Sequence, residues 1–293
     1  MPRIVVTGAG GRLGAALVRE WTAAGLDVTG FGRQELDLAR PEQMRSALDA
    51  VDFGVLVNCA AQTNVDRCET ERDEAMQINA HAVRTLAEIC QAKGARCVHI
   101  STDYVFDGAK QTPYTEEDAV IPISHYGVSK RAGELALLEV SGSNLAVRVS
   151  WVFGPDRPSF VDGIVKRAQS EEKVEAIADK IAVPTYTLDA AQLLKPLLFD
   201  VPAGGVLHLC NGGSCTWQEY GQYALDCAAE TGMPLKARTV GPQKMADLKA
   251  FIAKRPPNTA MSTEHLTRLT GQRPRHWREA VREYITRHVV PKA

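Results

Sequence analysis

The stretch Arg3-Ile-Val-Val-Thr-Gly-Ala-Gly-Gly-Arg-Leu-Gly14 decides the fold. Arg3 to Val6 is a short β-branched run closed by a glycine cluster, the pattern of a buried strand. Gly8, Gly11 and Gly14 follow at intervals of three. Leu13, Leu17, Val18 and Trp21 then fall near one helical face, and the pattern stops at Gly25. In a strand–turn–helix unit of this kind, one glycine makes the turn. Another lets the backbone approach a pyrophosphate, and a third lets helix and strand pack closely. The free N–H groups and dipole of the helix N-terminus favour an anion there. A glycine-rich turn with no ligand is the plain alternative, and the flanking strand and helix weigh against it.

Working outward, Asp27 to Phe31 reads as the second strand, followed by Gly32 and Arg33. NAD-selective sites place a carboxylate at this strand tip to hold the ribose 2′-OH. Here no acid stands at that place. Arg33 is suited to a 2′-phosphate, with help from Arg12, so NADP is the expected cofactor and NAD the second choice. Pro41 opens a helix that runs to about Ala50. Val55 to Val57 is the third strand, and the small residues after it leave room for a ring or a ribose. A helical pattern covers 71–93, with Asn79 inside it, and Cys97 to Ile100 is the fourth strand. Leu145 to Val149 is the fifth, leading to Trp151. Strands alternating with helices predict an α/β fold, a doubly wound parallel (Rossmann) sheet.

Beyond Trp151 the alternation weakens. Helices are expected from Phe160 to about Gln169, over 188–198 and from Trp217 to Thr231, with strands over 173–177 and near Val206 to Leu209. We divide the chain into a dinucleotide-binding domain, 1–150, and a smaller, interleaved, mainly substrate-binding region, 151–293. A segment near 185–210 is expected to return to the first domain.

The stretch from Ser101 to Glu134 follows the fourth strand, at the sheet edge where doubly wound folds bind ligands. It ends on Tyr126 and Lys130, four residues apart and so on one helix face. A nearby cation lowers a phenol from its ordinary value of about 10. Such a tyrosine exchanges a proton near neutral pH. A lone Tyr-x-x-x-Lys is common on surface helices, and its position after the fourth strand is what gives it weight.

Composition narrows the function. The chain has 293 residues with a formal net charge of −1, and its basic residues do not cluster, which argues against nucleic acid and polybasic membrane contacts. No apolar run approaches the roughly 18 residues a membrane span needs. The start, MPRIVVTGAGG, enters a strand at once and has no signal-peptide pattern. Seven cysteines without Cys-x-x-Cys spacing suit a reduced, cytoplasmic protein. None of the seven histidines shows His-x-x-x-His helix spacing beside a carboxylate, so no metal is expected.

Several blocks together resemble the extended short-chain dehydrogenase/reductases, and within them the dTDP-4-dehydrorhamnose reductase family. They are the glycines, Asn58-Cys-Ala-Ala-Gln-Thr-Asn-Val-Asp-Arg-Cys-Glu69, Ser101-Thr-Asp-Tyr-Val-Phe-Asp-Gly108, Pro113-Tyr-Thr-Glu116, Tyr126-Gly-Val-Ser-Lys130, Arg148-Val-Ser-Trp-Val-Phe-Gly154 and Arg255-Pro-Pro-Asn258. The resemblance implies NAD(P)H-dependent reduction of a 4-keto-6-deoxy sugar nucleotide, dTDP-4-dehydrorhamnose to dTDP-rhamnose. It implies that Tyr126 protonates the new alkoxide, that Lys130 lowers the phenol and holds the nicotinamide ribose, and that Thr102 hydrogen-bonds the reacting oxygen. Cofactor contacts are expected from Gly8, Gly11, Arg12, Leu13, Gly14, Arg33, Asp37, Leu38, Cys59, Ala60, Ala61 and Asn79, besides Tyr126 and Lys130. Thr63, Asp103, Tyr104, Trp151 and Arg255 are expected around the sugar nucleotide. A homodimer is the expected assembly if the chain associates at all.

The chain departs from the family pattern in three places. Gln62 stands where relatives carry an aromatic residue or His. Asp156-Arg157-Pro158-Ser159 replaces a Gly and Asn before the Phe, and Ala182-Val183 replaces a Gly-Ser or Gly-Ala before Pro-Thr. Two other readings stay open. One is an epimerase or dehydratase of the same superfamily, although Tyr104 rather than Glu follows Asp103. The other is a non-catalytic cofactor-binding subunit like the regulatory β-subunit of methionine adenosyltransferase.

Overall fold

The strand β1 (Ile4–Thr7) is apolar and buried over its whole length, as parallel strands covered on both faces are. A computed structural model describes residues 2–201 and 203–289 of the chain. Residues 1, 202 and 290–293, which fall inside the two expected regions, lie outside the described residues. After β1 come α1 (Arg12–Ala23), β2 (Val28–Phe31), α2 (Pro41–Asp49) and the equally buried β3 (Val55–Asn58). Two short helices, α3 (Val65–Thr70) and α4 (Arg72–Met76), lead through a π-helical turn (Gln77–His81) into α5 (Ala82–Ala92). Then follow β4 (Arg96–Thr102), a 3-10 turn (Asp103–Val105), α6 (His125–Val140) and β5 (Leu145–Val149).

The carboxyl half starts with β6 (Val152–Phe153), α7 (Phe160–Ser170), β7 (Val174–Ile177), β8 (Ile181–Ala182) and β9 (Thr185–Tyr186). It continues with α8 (Thr187–Leu194), α9 (Pro196–Phe199), β10 (Gly205–His208), β11 (Cys215–Thr216) and α10 (Trp217–Glu230). It goes on through β12 (Val240–Gln243), α11 (Glu264–Thr270) and α12 (Trp277–Tyr284), which runs into a second π-helical turn (Ile285–Val289).

Six strands form one all-parallel sheet in the order β10-β5-β4-β3-β1-β2. From β1 the chain steps outward to β2, then returns to the other side at β3. The crevice between β1 and β3 is therefore the switch point where such sheets bind ligands. One sheet face carries an apolar layer that includes Leu17, Trp21, Leu194 and Leu197. The other carries one that includes Met44, Leu48, Leu86 and Leu137. A separate core around Phe153, Tyr220 and Trp277 holds the carboxyl-terminal region. The segment containing α8, α9 and β10 packs on the sheet: β10 pairs with β5, and Trp21 of α1 donates its indole N–H to the Ala191 carbonyl, 2.9 Å away.

Two predicted helices are broken. The helix over 71–93 is interrupted at Gln77–His81, where the wide turn puts Asn79 into the interior at no exposure. A Cβ on Gly133 of α6 would collide with the Asn79 carbonyl, so only glycine lets α6 approach this turn. The helix over 188–198 ends at Leu194, because Pro196 has no N–H to continue it and instead opens α9.

Candidate active site

A cleft of ≈ 780 Å³ opens at the carboxyl ends of β1, β3 and β4. At its first end lies the glycine turn. Gly8 has φ +67, and a Cβ there would come within 2.7 Å of the Ala60 backbone nitrogen, so glycine is needed for both conformation and space. A Cβ on Gly14 would strike the Gly8 carbonyl. Gly14 thus seats α1 against the turn and is not among the residues lining the cleft. Gly8, Gly11, Arg12, Leu13, Arg33, Asp37, Leu38, Cys59, Ala60 and Ala61 all line it. Burial pushes the Cys59 thiol up to about 12, which keeps it protonated. At the tip of β2, Arg33 is exposed, with its Nε 3.9 Å from the Asp37 carboxylate. An acid also reaches this tip: the Glu35 carboxylate accepts the Gly32 N–H at 2.6 Å.

Side chains from three neighbouring strands form a buried chain behind the cleft. Thr7, Asn58 and His99 stand side by side in register. The Asn58 Oδ1 accepts from the Thr7 hydroxyl (2.6 Å) and the Ala60 N–H (3.1 Å), so its amide nitrogen must face His99 Nδ1, 2.9 Å away. A neutral His99 then carries its proton on Nε2, which lies 3.0 Å from Lys130 Nζ. Two donors cannot share that contact, so Lys130 fits there as a free amine, while its own N–H reaches the Ile100 carbonyl at 2.6 Å. Burial, which dominates over the Glu134 charge, brings Lys130 down to about 7. Burial and then the Lys130 charge hold His99 well below its ordinary value.

The end of β4 and the first two turns of α6 bring Thr102, Tyr126 and Lys130 to the same cleft. The Ser124 hydroxyl caps α6 by accepting the Gly127 N–H. Thr102 donates to Asp103 at 3.1 Å and shares a hydrogen bond with the Tyr126 phenol. The Thr102 oxygen also accepts the Tyr104 N–H at 3.2 Å, which fixes the hydroxyl beside the phenol. The phenol does not have the lowered value expected from its spacing to a cation. Burial pushes it above the ordinary tyrosine value, against the Thr102 hydrogen bond, and Lys130 is turned to His99 and Ile100 instead. Burial therefore keeps the Tyr126 phenol protonated.

Asp103 lines the cleft, but hydroxyls occupy its oxygens: Thr102, Ser150 at 2.9 Å and Thr259 in a short contact. Burial pushes its carboxyl up, against the Lys180 charge. Lys180, itself brought down to about 8 by burial, lies 4.8 Å over the Tyr104 ring. Tyr104 meets Tyr126 edge-on at 5.6 Å. Trp151 lines the cleft with φ 41, a conformation that costs a bulky residue ~1–3 kcal/mol. Its ring stacks on Tyr220 at 6.0 Å and meets Trp217 at 5.4 Å, which holds it in place.

Thr63 also lines the cleft, whereas Arg255 and Asn79 do not. Arg255 ion-pairs with Asp66 at 2.7 Å and lies over the Phe251 ring, and the same carboxylate accepts the Ile252 and Ala253 N–H groups. The Arg255 hydrogen bond brings Asp66 down to about 2. Asn79 clamps the loop after β3, donating to the Gln62 carbonyl (3.0 Å) and accepting its N–H (2.8 Å). Gln62, Arg67, Ser150 and Arg157 line the cleft too and were not among the expected site residues. Ser150 lies inside the Arg148 to Gly154 block. Gln62 and Arg157 lie where the chain leaves its family pattern.

A parallel sheet with a glycine cradle at its switch point and a Thr, Tyr, Lys cluster beside it defines a dinucleotide-binding α/β protein. The chain belongs to the RmlD substrate binding domain family, whose model matches residues 2–290. It is 35% identical over 285 residues to the spore coat polysaccharide biosynthesis protein SpsK of Bacillus subtilis, covering 97% of each chain. It is 36% identical over 291 residues to the dTDP-4-dehydrorhamnose reductase of Streptomyces griseus, covering 96% of this chain and 92% of that one. The crystal structure of dTDP-4-dehydrorhamnose reductase from Bacillus anthracis in complex with NADP superposes with a TM-score of 0.90 at 31% identity. That match covers 97% of this chain and 99% of the other.

Proposed function

We propose that this protein is an NADPH-dependent reductase of 4-keto-6-deoxy sugar nucleotides that converts dTDP-4-dehydrorhamnose to dTDP-rhamnose. The observation that carries this reading is one cleft with a glycine cradle at one end and the hydroxyls of Thr102 and Tyr126 beside Lys130 at the other. The cradle fits a dinucleotide, since a side chain at Gly8 would fill the space between the turn and the Ala60 backbone. When bound, the nicotinamide supplies a hydride to the 4-keto carbon.

The chain's residues do the rest. The turn N–H groups and the start of α1 take the pyrophosphate. Arg33 faces the 2′-phosphate. Lys130 turns from the Ile100 carbonyl to a ribose hydroxyl. Thr102 orients the keto oxygen, and Tyr126, protonated at rest, transfers its phenolic proton to that oxygen as negative charge develops. Trp151 offers a flat face to the sugar. The ordered Asp103 network keeps Thr102 from drifting.

Among the described residues no helix is long and apolar enough to cross a membrane, and no metal-binding cluster of His, Cys, Asp or Glu is present. We assign the cytoplasm as the place of action. We assign a homodimer as the assembly, with the exposed Val128 and Leu135 on one face of α6 as its contact. Light scattering in solution tests the assembly.

The test of activity is NADPH consumption by the purified chain with dTDP-4-dehydrorhamnose. One NADPH is expected per dTDP-rhamnose, and Tyr126→Phe is expected to lose about 10²–10⁴-fold in kcat. Turnover of the substrate with no net NADPH oxidation would instead mark an epimerase. No turnover with any 4-keto-6-deoxy sugar nucleotide would end the reading.

A further inference from the structure

Arg157 lies in the segment between β6 and α7, 145 residues and more from the glycine turn, yet it reaches across to it. Its Nε donates to the Gly10 carbonyl at 2.6 Å. A Cβ on Gly10 would lie 3.8 Å from its Nη2, so the guanidinium rests against the turn, and both residues line the cleft. The contact is reciprocated. Arg12, from the first turn of α1, donates to the Val152 and Arg157 carbonyls at 3.2 Å and to the Pro158 carbonyl in a short contact. The segment and the turn are strapped together by two arginines that bond to carbonyl oxygens only.

Two guanidinium groups therefore lie side by side on the cleft wall. Among the described residues, neither has a carboxylate at ion-pair distance. The nearby acids are committed: Asp156 pairs with Arg19, and Asp162 is taken by the Ser159 N–H (2.6 Å), the Ser159 hydroxyl (2.7 Å) and the Tyr284 hydroxyl (2.7 Å). Burial holds Arg12 below its ordinary value against the Asp162 charge, and the neighbouring Arg157 charge adds a smaller push in the same direction as burial. Adjacent like charges repel, and an anion between them removes the penalty. The glycine turn and the N-terminus of α1 favour an anion at the same place.

We propose that Arg157 is a phosphate ligand supplied by the substrate-binding region, reaching the cofactor's pyrophosphate beside the glycine turn. Planar guanidinium donors suit two phosphate oxygens, which a lysine matches only as a point charge. Cofactor binding then tightens the strap between the two halves of the chain, so the sugar pocket is completed as the dinucleotide arrives. This rests on the reading that the cleft takes a nicotinamide dinucleotide.

Arg157→Gln separates charge from tethering, because it retains an N–H for the Gly10 carbonyl. Isothermal titration of the full chain with NADP⁺ and with 2′-AMP, which has no pyrophosphate, reads the effect. The expected result is a ten- to hundredfold weaker Kd for NADP⁺ in the variant, the loss of one charge-assisted contact, with 2′-AMP binding unchanged. Arg157→Lys is expected to recover part of the loss, and the variant's affinity for NADP⁺ should fall less steeply with salt. Equal NADP⁺ affinity in wild type and Arg157→Gln overturns the proposal alone. Equal weakening toward both ligands also overturns it, since that marks a distorted site. A wild-type chain that binds no NADP⁺ ends the dinucleotide reading itself.

Discussion

Lys130→Met is expected to stabilise the protein while abolishing its activity. The Lys130 side chain is 1% exposed, and burial brings its ammonium from the ordinary 10.5 down to about 7. A difference of that size corresponds to ~5 kcal/mol against the protonated form in the folded state. The folded value is depressed, so between about pH 7 and the ordinary lysine value the unfolded chain binds more protons than the folded one. Stability drawn from this group therefore rises with pH across that window. Methionine keeps the unbranched stem and removes the charge. It also leaves the Ile100 carbonyl and His99 Nε2 without their partner, which costs about 1–3 kcal/mol. The net gain at pH 7 is about 2 kcal/mol. From pH 7 to pH 9 the wild type releases this proton in the folded state and recovers about 2 kcal/mol, so the advantage of the variant closes. Urea unfolding of both proteins at pH 7, 8 and 9, followed by tryptophan fluorescence, measures the difference, in which all shared groups cancel. Parallel stability–pH curves for the two proteins, or a variant less stable at pH 7 than at pH 9 relative to wild type, would refute the reasoning.

Further expectations concern the cofactor end and the core. Arg33→Ala should weaken NADP⁺ binding by about ten- to a hundredfold, one charge-assisted contact, and leave NAD⁺ binding unchanged by the same titration. Glu35→Gln should favour NADP⁺ further, because it removes the carboxylate held at the β2 tip by the Gly32 N–H. Gly8→Ala, at φ +67 and against the Ala60 backbone, should cost at least ~1–3 kcal/mol in denaturant unfolding. Trp21→Ala, which empties a fully buried site and strands the Ala191 carbonyl, should cost ~3–5 kcal/mol by the same assay while leaving residual activity in the folded fraction.

The sheet was legible because its signals are local. β1, α1 and the glycines between them lie within a couple of dozen residues, and β-branched runs with glycine punctuation read directly as buried strands. What depended on distant partners was not. The π-helical turn at Gln77–His81 exists around Asn79, whose side chain binds Gln62, 17 residues away, and Ser129, 50 residues away. Arg255 is occupied by Asp66, 189 residues away, and no spacing rule reports that. The Tyr126–Lys130 spacing announced two side chains in one cleft, but not that His99 and the Ile100 carbonyl would take the amine, nor that burial would outweigh the cation at the phenol. Arg157 was visible as a break in a pattern, and its meaning came only when the segment folded over Gly10.

Hydride delivery to the 4-keto carbon, with Tyr126 supplying the proton, leaves an isotopic record. The measurement uses NADPH carrying deuterium at both nicotinamide C4 positions, with dTDP-4-dehydrorhamnose as substrate and NMR of the sugar product. One deuterium at C4 of dTDP-rhamnose is expected per NADPH consumed, and none from Tyr126→Phe on the same timescale. Product formed without deuterium at C4, or label found at another carbon, would contradict it.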